Sequence, residues 1–345
     1  MPAVDVVVVG AGVMGCATAR AVARSGRHVL LLEQFEIGHR RGSSHGASRI
    51  FRYSYNEAAY VAMAMESLEL WRELEVESGS PLLTTLGGLD LGPTLEAHVS
   101  ALEAHGARFE MLSGRQAARR FPAFSFPPGD RVLFQPDAGI VAAERAVRAF
   151  LAGARASGAR VEERARVGGL RVDGNRVELD LGGRAVEAEV AVVTAGAWAR
   201  GLLAGAGIDL PTSPSRETVA YFDVGGADTL PPVVDWGSPS VYALPSPGQG
   251  LKAGEHHAGP HVDPDDEGEA NQDSVRRLRS WVAERYRSPE IQPRFVETCL
   301  YTNTPDEGFV LERRGPVVVG SACSGHGFKF APLIGRRLAE LALAS

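Results

Sequence analysis

Of the 36 basic side chains in this 345-residue chain, 34 are arginines, and only Lys252 and Lys329 are lysines. Arg is a planar, permanently charged fork, whereas Lys is a compact point charge whose pKa moves readily, so a chain that otherwise uses Arg has a chemical reason to keep these two. Three cysteines, Cys16, Cys299 and Cys323, are too few and too far apart for a disulfide framework or a CxxC metal site. Each reads either as small apolar filler, the usual fate of an isolated Cys, or as a reactive thiol. No resident metal is expected.

Gly10-Ala11-Gly12-Val13-Met14-Gly15 has the spacing GxGxxG. It follows the β-branched run Val4-Asp5-Val6-Val7-Val8-Val9, which reads as a parallel strand buried on both faces, and it precedes a helical stretch over 16–25. A second apolar strand over 28–32 ends in Glu33. Glycines permit a tight turn and let a pyrophosphate approach the helix N-terminus, where free N–H groups and the dipole favour negative charge. Glu33 would accept hydrogen bonds from an adenosine ribose. An acid there suits FAD and NAD alike, so this fingerprint alone leaves the cofactor open.

The elements that must position these residues follow from composition and periodicity. Helices are predicted over 58–77, 112–121, 142–157 and 333–343, with strands and turns over 81–92. Short strands are predicted over 161–167, 170–172, 176–181 and 186–189, and buried strands over 190–194 and 317–320, both leaving through glycine. Parallel-type strands with glycine exits, far apart in the chain, imply one nucleotide sheet assembled from separate segments. Residues 211–300 are richer in Pro, turns and acid and predict a mostly antiparallel second domain. The expected fold class is α/β: a discontinuous Rossmann-like domain over 1–84, 139–212 and 301–345, and an α+β substrate domain on a mixed, largely antiparallel sheet over 85–138 and 213–300.

Hydrophobic residues at 44 % and charged residues at 23 % are those of an ordinary globular protein. A net charge of −6 with dispersed basic residues gives no footprint for nucleic acid or an anionic membrane. No apolar run reaches the ~18 residues of a membrane span, and the N-terminus lacks the basic flank of a signal peptide, so the cytoplasm is the expected location.

Four more stretches concentrate the reactive side chains: Ser44-His45-Gly46-Ala47-Ser48-Arg49-Ile50-Phe51-Arg52, Gly250-Leu251-Lys252-Ala253-Gly254-Glu255-His256, Thr298-Cys299-Leu300-Tyr301-Thr302 and Ser324-Gly325-His326-Gly327-Phe328-Lys329-Phe330. With the glycine fingerprint, they resemble the monomeric sarcosine oxidase family, which includes N-methyltryptophan and pipecolate oxidases, within the D-amino-acid-oxidase-like flavoproteins. The resemblance runs from Asp5 to about Leu341, and both lysines fall inside its motifs. It departs from the family pattern at Glu255, where an aromatic is usual, in weak matching over 92–130 and 221–241, and in a chain that stops at Ser345 soon after the last helix.

The resemblance implies FAD, contacted by Gly10, Gly12, Val13, Met14 and Gly15, by Glu33 and Gln34, and by Ser44, His45 and Arg49. Val167, Gly196 and Trp198, and Gly325, His326, Gly327, Phe328 and Lys329, complete the implied cofactor contacts. The family counterpart of Cys299 forms a thioether to the flavin 8α-carbon, a bond that needs an isoalloxazine ring and therefore FAD; Cys16 and Cys323 are left as filler. Lys252 resembles a catalytic lysine beside flavin N5, where a fixed positive charge shared with Arg49 stabilises the anion formed as O2 takes its first electron. Arg52 and Lys329 resemble the pair that grips a substrate carboxylate. Tyr242 and His256 resemble residues that line the substrate and steer its amine, and His257 is read as a bystander.

The implied activity is oxidation of the C–N bond of a secondary amino acid such as sarcosine, with O2 reduced to hydrogen peroxide and the imine hydrolysed. Pipecolate, proline or an N-methylated aromatic amino acid is the alternative substrate, a dehydrogenase the alternative acceptor chemistry, and a non-catalytic flavin protein the alternative class. The expected partners are the small amino acid and O2, with no nucleic acid and no membrane, and a monomer is what the family name suggests.

Overall fold

In the computed structural model, which describes residues 4–344, Val4–Val9 is flanked by two parallel neighbours, Ala185–Val193 and Val29–Leu32. Val317–Val319 adds to the far side of Ala185–Val193, again in parallel, so strands from both ends and the middle of the chain build one eight-stranded sheet. The expectation of a nucleotide sheet assembled from separate segments is met. Because both faces are covered, successive residues divide between two cores: Val6, Val8 and Leu31 pack on one side, and Val7, Val9, Leu30 and Leu32 on the other.

Residues 186–194, expected as two strands, form a single strand, Ala185–Val193. Burial alternates from Ala185 to Glu189 and becomes continuous from Val190, so the change of pattern marks where the sheet is covered on both faces and not where a strand ends. Residues 161–167 fall short of expectation. Only Arg160–Glu162 pairs, with Val29–Leu32, after which the chain turns away: Arg164 adopts φ +56° and donates its N–H to the Phe35 carbonyl, and the Ala165 N–H goes to the Glu33 carbonyl.

The second sheet also has eight strands, in the order 293–303, 213–222, 250–255, 241–246, 233–235, 88–91, 131–135 and 110–113. Every pairing in it is antiparallel except that of Val233–Asp235 with Gly88–Leu91, as expected of a mixed, largely antiparallel sheet. A three-stranded sheet, Ser48–Phe51, Leu83–Thr85 and Gly139–Ala142, lies between the two and is tied to the second by the Ser48 hydroxyl donating to the Pro245 carbonyl at 2.6 Å.

Helices Ala58–Ser78, Ala143–Ala156 and Ala331–Leu343 lie where the periodicity places them. The expected helix over 112–121 starts instead at Gly114, because Ser113 and Gln116 close a capping box at that point. The short helix Ala199–Ala204 was not expected, and neither were two helices of ten or more residues, Leu95–Ala104 and Gln272–Arg285. The second buries only Ser274, Leu278 and Val282, one side chain every four residues, which is too narrow a stripe to stand out in a polar, acidic segment. None of the helices among the described residues is long and apolar enough to cross a membrane.

Helix Val13–Arg24, which carries the end of the glycine fingerprint, is clamped against Ala331–Leu343 at closest approach by glycine. A Cβ on Gly335 would lie 2.6 Å from the Ala17 Cβ and 2.7 Å from its carbonyl carbon. Gly335→Val is therefore expected to lower stability by about 1–3 kcal/mol through backbone displacement, read as a lower urea midpoint. Gly201→Ala, in a helix where the added methyl meets open space, serves as the control and is expected to be neutral or mildly stabilising.

Candidate active site

A cavity of about 830 Å³ runs from the C-terminal ends of the parallel strands to one face of the second sheet. That is in the upper part of the ~300–1,000 Å³ range of ligand pockets, and strand ends of an open α/β sheet are where such folds bind ligands. Of the residues implicated by sequence, Gly15 alone lies off the cavity wall. A Cβ there would stand 1.8 Å from the Gly10 carbonyl oxygen, so Gly15 lets the helix close on the turn and does not touch a ligand itself.

At the strand end of the cavity Gly10 turns at φ +97°, in the left-handed region, and a Cβ would lie 2.7 Å from the Thr194 carbonyl oxygen. Helix Val13–Arg24 begins with no acid in its first turn and no side-chain cap from Gly12. Its positive end faces the cavity, with Ser44 Oγ accepting the Val13 N–H at 3.0 Å. Glu33 is buried; its carboxylate accepts the N–H groups of Ala11 at 2.8 Å and Phe35 at 3.0 Å and lies 3.5 Å from His39 Nε2. Burial opposes its ionisation, but the hydrogen bonds from His39, Phe35 and Ala11 outweigh it and hold the carboxyl below its ordinary range. The carboxylate thus ties the glycine turn to the second strand and keeps lone pairs facing the cavity. Gln34, Val167, Gly196 and Trp198 continue this wall, and Trp198 is held by its indole N–H donating to Asp265 at 2.7 Å.

Cationic groups gather in the middle. Arg49 donates to the carbonyls of Ser48, Ser43 and His45 at 2.8, 2.8 and 2.6 Å and stacks over Phe328 at 5.6 Å. A Cβ built on Gly46 would lie 3.5 Å from Arg49 Nη1, 3.8 Å from Lys252 Nζ and 3.9 Å from Glu297 Oε1, so these three charged groups converge on one small volume. Burial pushes the Lys252 ammonium down to about 7, helped by Arg49 and opposed by Cys299 and Glu297. Cys299 is raised by burial, against the pull of Lys252 and Arg49. Burial, with Arg49 and Lys252, takes His45 down to about 3, so its imidazole is neutral, and both of its ring nitrogens are buried without a partner.

Strand alternation explains the convergence. Lys252 and Gly254 point the same way from Gly250–Glu255, Cys299 and Tyr301 share a face of Pro293–Asn303, and Tyr242 lies across Gly254, where a Cβ would be 2.5 Å from its hydroxyl. Glu255, the departure from the family pattern, points the other way. It is buried against helix Gln272–Arg285, paired with Arg277 at 2.6 and 2.8 Å and hydrogen-bonded by Ser274.

At the inner end Arg52 and Lys329, 277 residues apart in number, are both buried and both line the cavity. Lys329 Nζ donates to the Tyr55 hydroxyl and the His326 carbonyl, each at 2.7 Å. The Tyr55 oxygen, accepting from Lys329, is left to donate to His326 Nδ1 at 3.2 Å, while His326 Nε2 donates to the Glu307 carbonyl at 3.0 Å. This chain requires a neutral His326, and burial next to Lys329 takes its pKa down to about 3. Arg52 stacks between Tyr55 at 4.5 Å and Trp236 at 5.0 Å, 3.7 Å from Asp90, and its Nη1 has no hydrogen-bond partner. Burial also drives Lys329 and His256 well below their ordinary values.

One expectation changes. Cys323 is half-buried on the cavity wall and not filler: its sulfur accepts the Thr302 N–H at 3.4 Å and lies 3.7 Å from the Ser43 hydroxyl, because it sits in the turn that leaves the strand Val317–Ser321. His257, read as a bystander, lies off the cavity wall and contacts Ser324 and Glu307 instead. Tyr55, Trp236 and Glu297 were missed. Tyr55 lies one helical turn past Arg52 in number and carried a signal in Arg52-Tyr53-Ser54-Tyr55, whereas Trp236 and Glu297 reach the site only through strand pairing.

The residues present fit FAD. The glycine cradle and open helix terminus suit a diphosphate, and the unpartnered nitrogens of His45, beside Arg49 and Lys252, suit a flat ring with polar edges. A family model described as FAD dependent oxidoreductase matches residues 5–341. The chain is 34% identical to the peroxisomal sarcosine oxidase of Homo sapiens, over 98% of this chain and 92% of that protein. It is 32% identical to the monomeric sarcosine oxidase of Bacillus sp. (strain B-0618), with the same coverage. Among solved structures, NikD, an amino acid oxidase of nikkomycin biosynthesis, superposes with a TM-score of 0.89 at 27% identity, covering 99% of this chain and 94% of that one.

Glu33→Ala is expected to cost about 1–3 kcal/mol, because the Ala11 N–H loses its buried acceptor. A carboxyl held below its free value stabilises the fold above the ordinary carboxylate range, and that contribution is lost on acidification. The stability gap between wild type and Glu33→Ala should therefore be present at pH 7 and shrink toward pH 3, read from urea midpoints.

Proposed function

The chain belongs to the FAD-dependent oxidoreductase family, and on that premise we propose that it oxidises the C–N bond of a secondary amino acid, sarcosine or a close relative. One substrate, one O2 and one water give glycine, formaldehyde and hydrogen peroxide when the substrate is sarcosine. Bound FAD supplies the redox chemistry, accepting two electrons from the C–N bond and delivering them to O2.

The observation that carries this reading is the pair of buried cations at the inner end, with Arg52 Nη1 unpartnered and Lys329 held by Tyr55 and the His326 carbonyl. A substrate carboxylate completes both, and a planar fork with a point charge from distant segments fixes its orientation. His256 and Tyr242 line the same end. The substrate amine, placed beside the buried cations Arg52 and Lys329, loses its proton more readily than in solution, so no strong general base is required. Arg49 and Lys252 present positive charge in the middle of the cavity, where O2 acquires negative charge on its first reduction. Cys299 lies on the same wall and is the residue for a covalent flavin bond. The relatives' names and the 27%-identical amino acid oxidase favour this substrate class.

We read residues 1–84, 139–212 and 301–345 as the cofactor domain and 85–138 with 213–300 as the substrate domain, a division supported by the near-complete segregation of the two large sheets between them. Three free cysteines support a reducing cytoplasm, and the name of the Bacillus relative supports a monomer.

Under anaerobic conditions sarcosine should bleach the oxidised flavin band, and air should restore it; a band that no secondary amino acid bleaches would overturn the activity. Lys252→Met should slow reoxidation by O2 far more than reduction by substrate, as measured by stopped flow. A lysine near 7 is charged below that pH and neutral above it, so the wild-type O2 step should slow as pH rises through about 7, and Lys252→Met should flatten that profile. Cys299→Ser should release its flavin on acid precipitation, whereas wild type retains it.

A further inference from the structure

Beside the substrate end of the cavity lies a group of side chains that amine oxidation does not use. His257 follows the strand Gly250–Glu255, Glu307 follows Pro293–Asn303, and Ser324 follows Val317–Ser321, so three separate returns of the chain meet here. All three residues have left-handed backbone, at φ +56°, +59° and +40°. For residues other than glycine this costs on the order of 1–3 kcal/mol each and gathers at functional sites.

The hydrogen-bond pattern is the informative part. His257 Nε2 lies 3.1 Å from the Ser324 carbonyl oxygen. A carbonyl only accepts, so Nε2 carries the hydrogen and donates. The lone pair of a neutral ring is then on Nδ1, which faces Glu307 Oε1 at 3.4 Å. Two acceptors held face to face favour a positive charge between them, and a proton or a metal ion supplies one. One ligand atom from His256 joins them, and the three atoms of His256, His257 and Glu307 lie within 4.8 Å of one another.

Two imidazoles and one carboxylate are a ligand set of open zinc sites, with metal–ligand distances of about 2.0–2.2 Å. Those bond lengths put tetrahedral ligands roughly 3.3–3.5 Å apart, the separation already present between His257 and Glu307. A backbone carbonyl on the other ring N–H is the usual outer partner of a metal-bound histidine, and Ser324 supplies it. Glu307 is itself anchored, since its carbonyl oxygen accepts from His326 Nε2 at 3.0 Å. Its carboxylate is about half exposed, which gives an ion a path from solvent and leaves room for water as fourth ligand. Imidazole ligands select borderline transition metals over Mg2+ or Ca2+.

We propose that His256, His257 and Glu307 form a Zn2+ site at the edge of the substrate cavity, and that the ion inhibits the enzyme by drawing His256 away from the substrate. The inhibitory half rests on the reading of His256 as a substrate-lining residue, whereas the binding half stands on the cluster alone.

The test uses the FAD-loaded full chain, stripped of metal and dialysed against micromolar ZnCl2, with bound zinc counted by mass spectrometry. One zinc per chain is expected, with affinity weakened at least about tenfold in Glu307→Gln and in His257→Gln, both checked for wild-type flavin spectra. Zinc should raise the Michaelis constant for sarcosine in wild type and leave Glu307→Gln, which turns over normally without metal, unaffected. Absence of stoichiometric binding, or equal binding in wild type and both variants, overturns the site and leaves a proton between His257 and Glu307. Stoichiometric zinc with an unchanged Michaelis constant overturns the inhibition. A protein that oxidises no amine defeats the proposed function, but the dialysis still decides the site.

Discussion

Taking an ion out of water costs several kcal/mol unless partners replace the solvent, and of the seven Arg and Lys side chains that line a single cavity here, four, Arg49, Arg52, Lys252 and Lys329, lie at its middle and inner end. Much of the local architecture compensates them. Three backbone carbonyls from the Ser43–Ser48 loop hold Arg49, a tyrosine and a carbonyl hold Lys329, and two aromatic faces with Asp90 nearby hold Arg52. Lys252 is the least compensated, with no hydrogen bond among those described, and burial moves its pKa down to about 7. In the proposed reading, a substrate carboxylate at the inner end and cofactor oxygens and nitrogens elsewhere complete the arrangement.

Two rigid supports allow those cations to be placed. The parallel sheet ends in the Gly10 turn, and Gly15 and Gly335 let its helix pack closely enough to aim its N-terminus, with the Val13 N–H held by Ser44, at the cavity. The antiparallel sheet works by alternation. Lys252, Cys299 and Tyr301 project to one side, while Glu255 goes to the other and is neutralised by Arg277. A one-residue slip in either strand would exchange those faces, so register against the strand Ser213–Phe222 is a condition for the site.

Some of this was legible from residues alone. GxGxxG between a β-branched strand and a helix, with Glu33 at the end of the next strand, is a local pattern whose physical requirements all lie within about thirty residues. The scarcity of lysine singled out Lys252 and Lys329 before any geometry, because a compact titratable charge and a permanent fork are not interchangeable. Helices with a broad apolar stripe, such as Ala143–Ala156, were legible for the same local reason, and Gln272–Arg285, with three buried positions, was not.

What the sequence by itself determined is the set of groups available and the local turns that present them: the glycine fingerprint, its acid, the two lysines and the motif cysteine. Which groups meet was decided only by tertiary structure, because it depends on pairings between strands up to 184 residues apart, as for Val4 and Ala188. Those pairings bring Glu297 beside Lys252, seat Trp236 on Arg52, make Cys323 part of the wall and set His257 against Glu307. Burial then set the chemistry. The same histidine or lysine side chain titrates ordinarily in water, and only its removal from water, next to other fixed charges, makes His45 and His326 neutral and brings Lys252 to about 7.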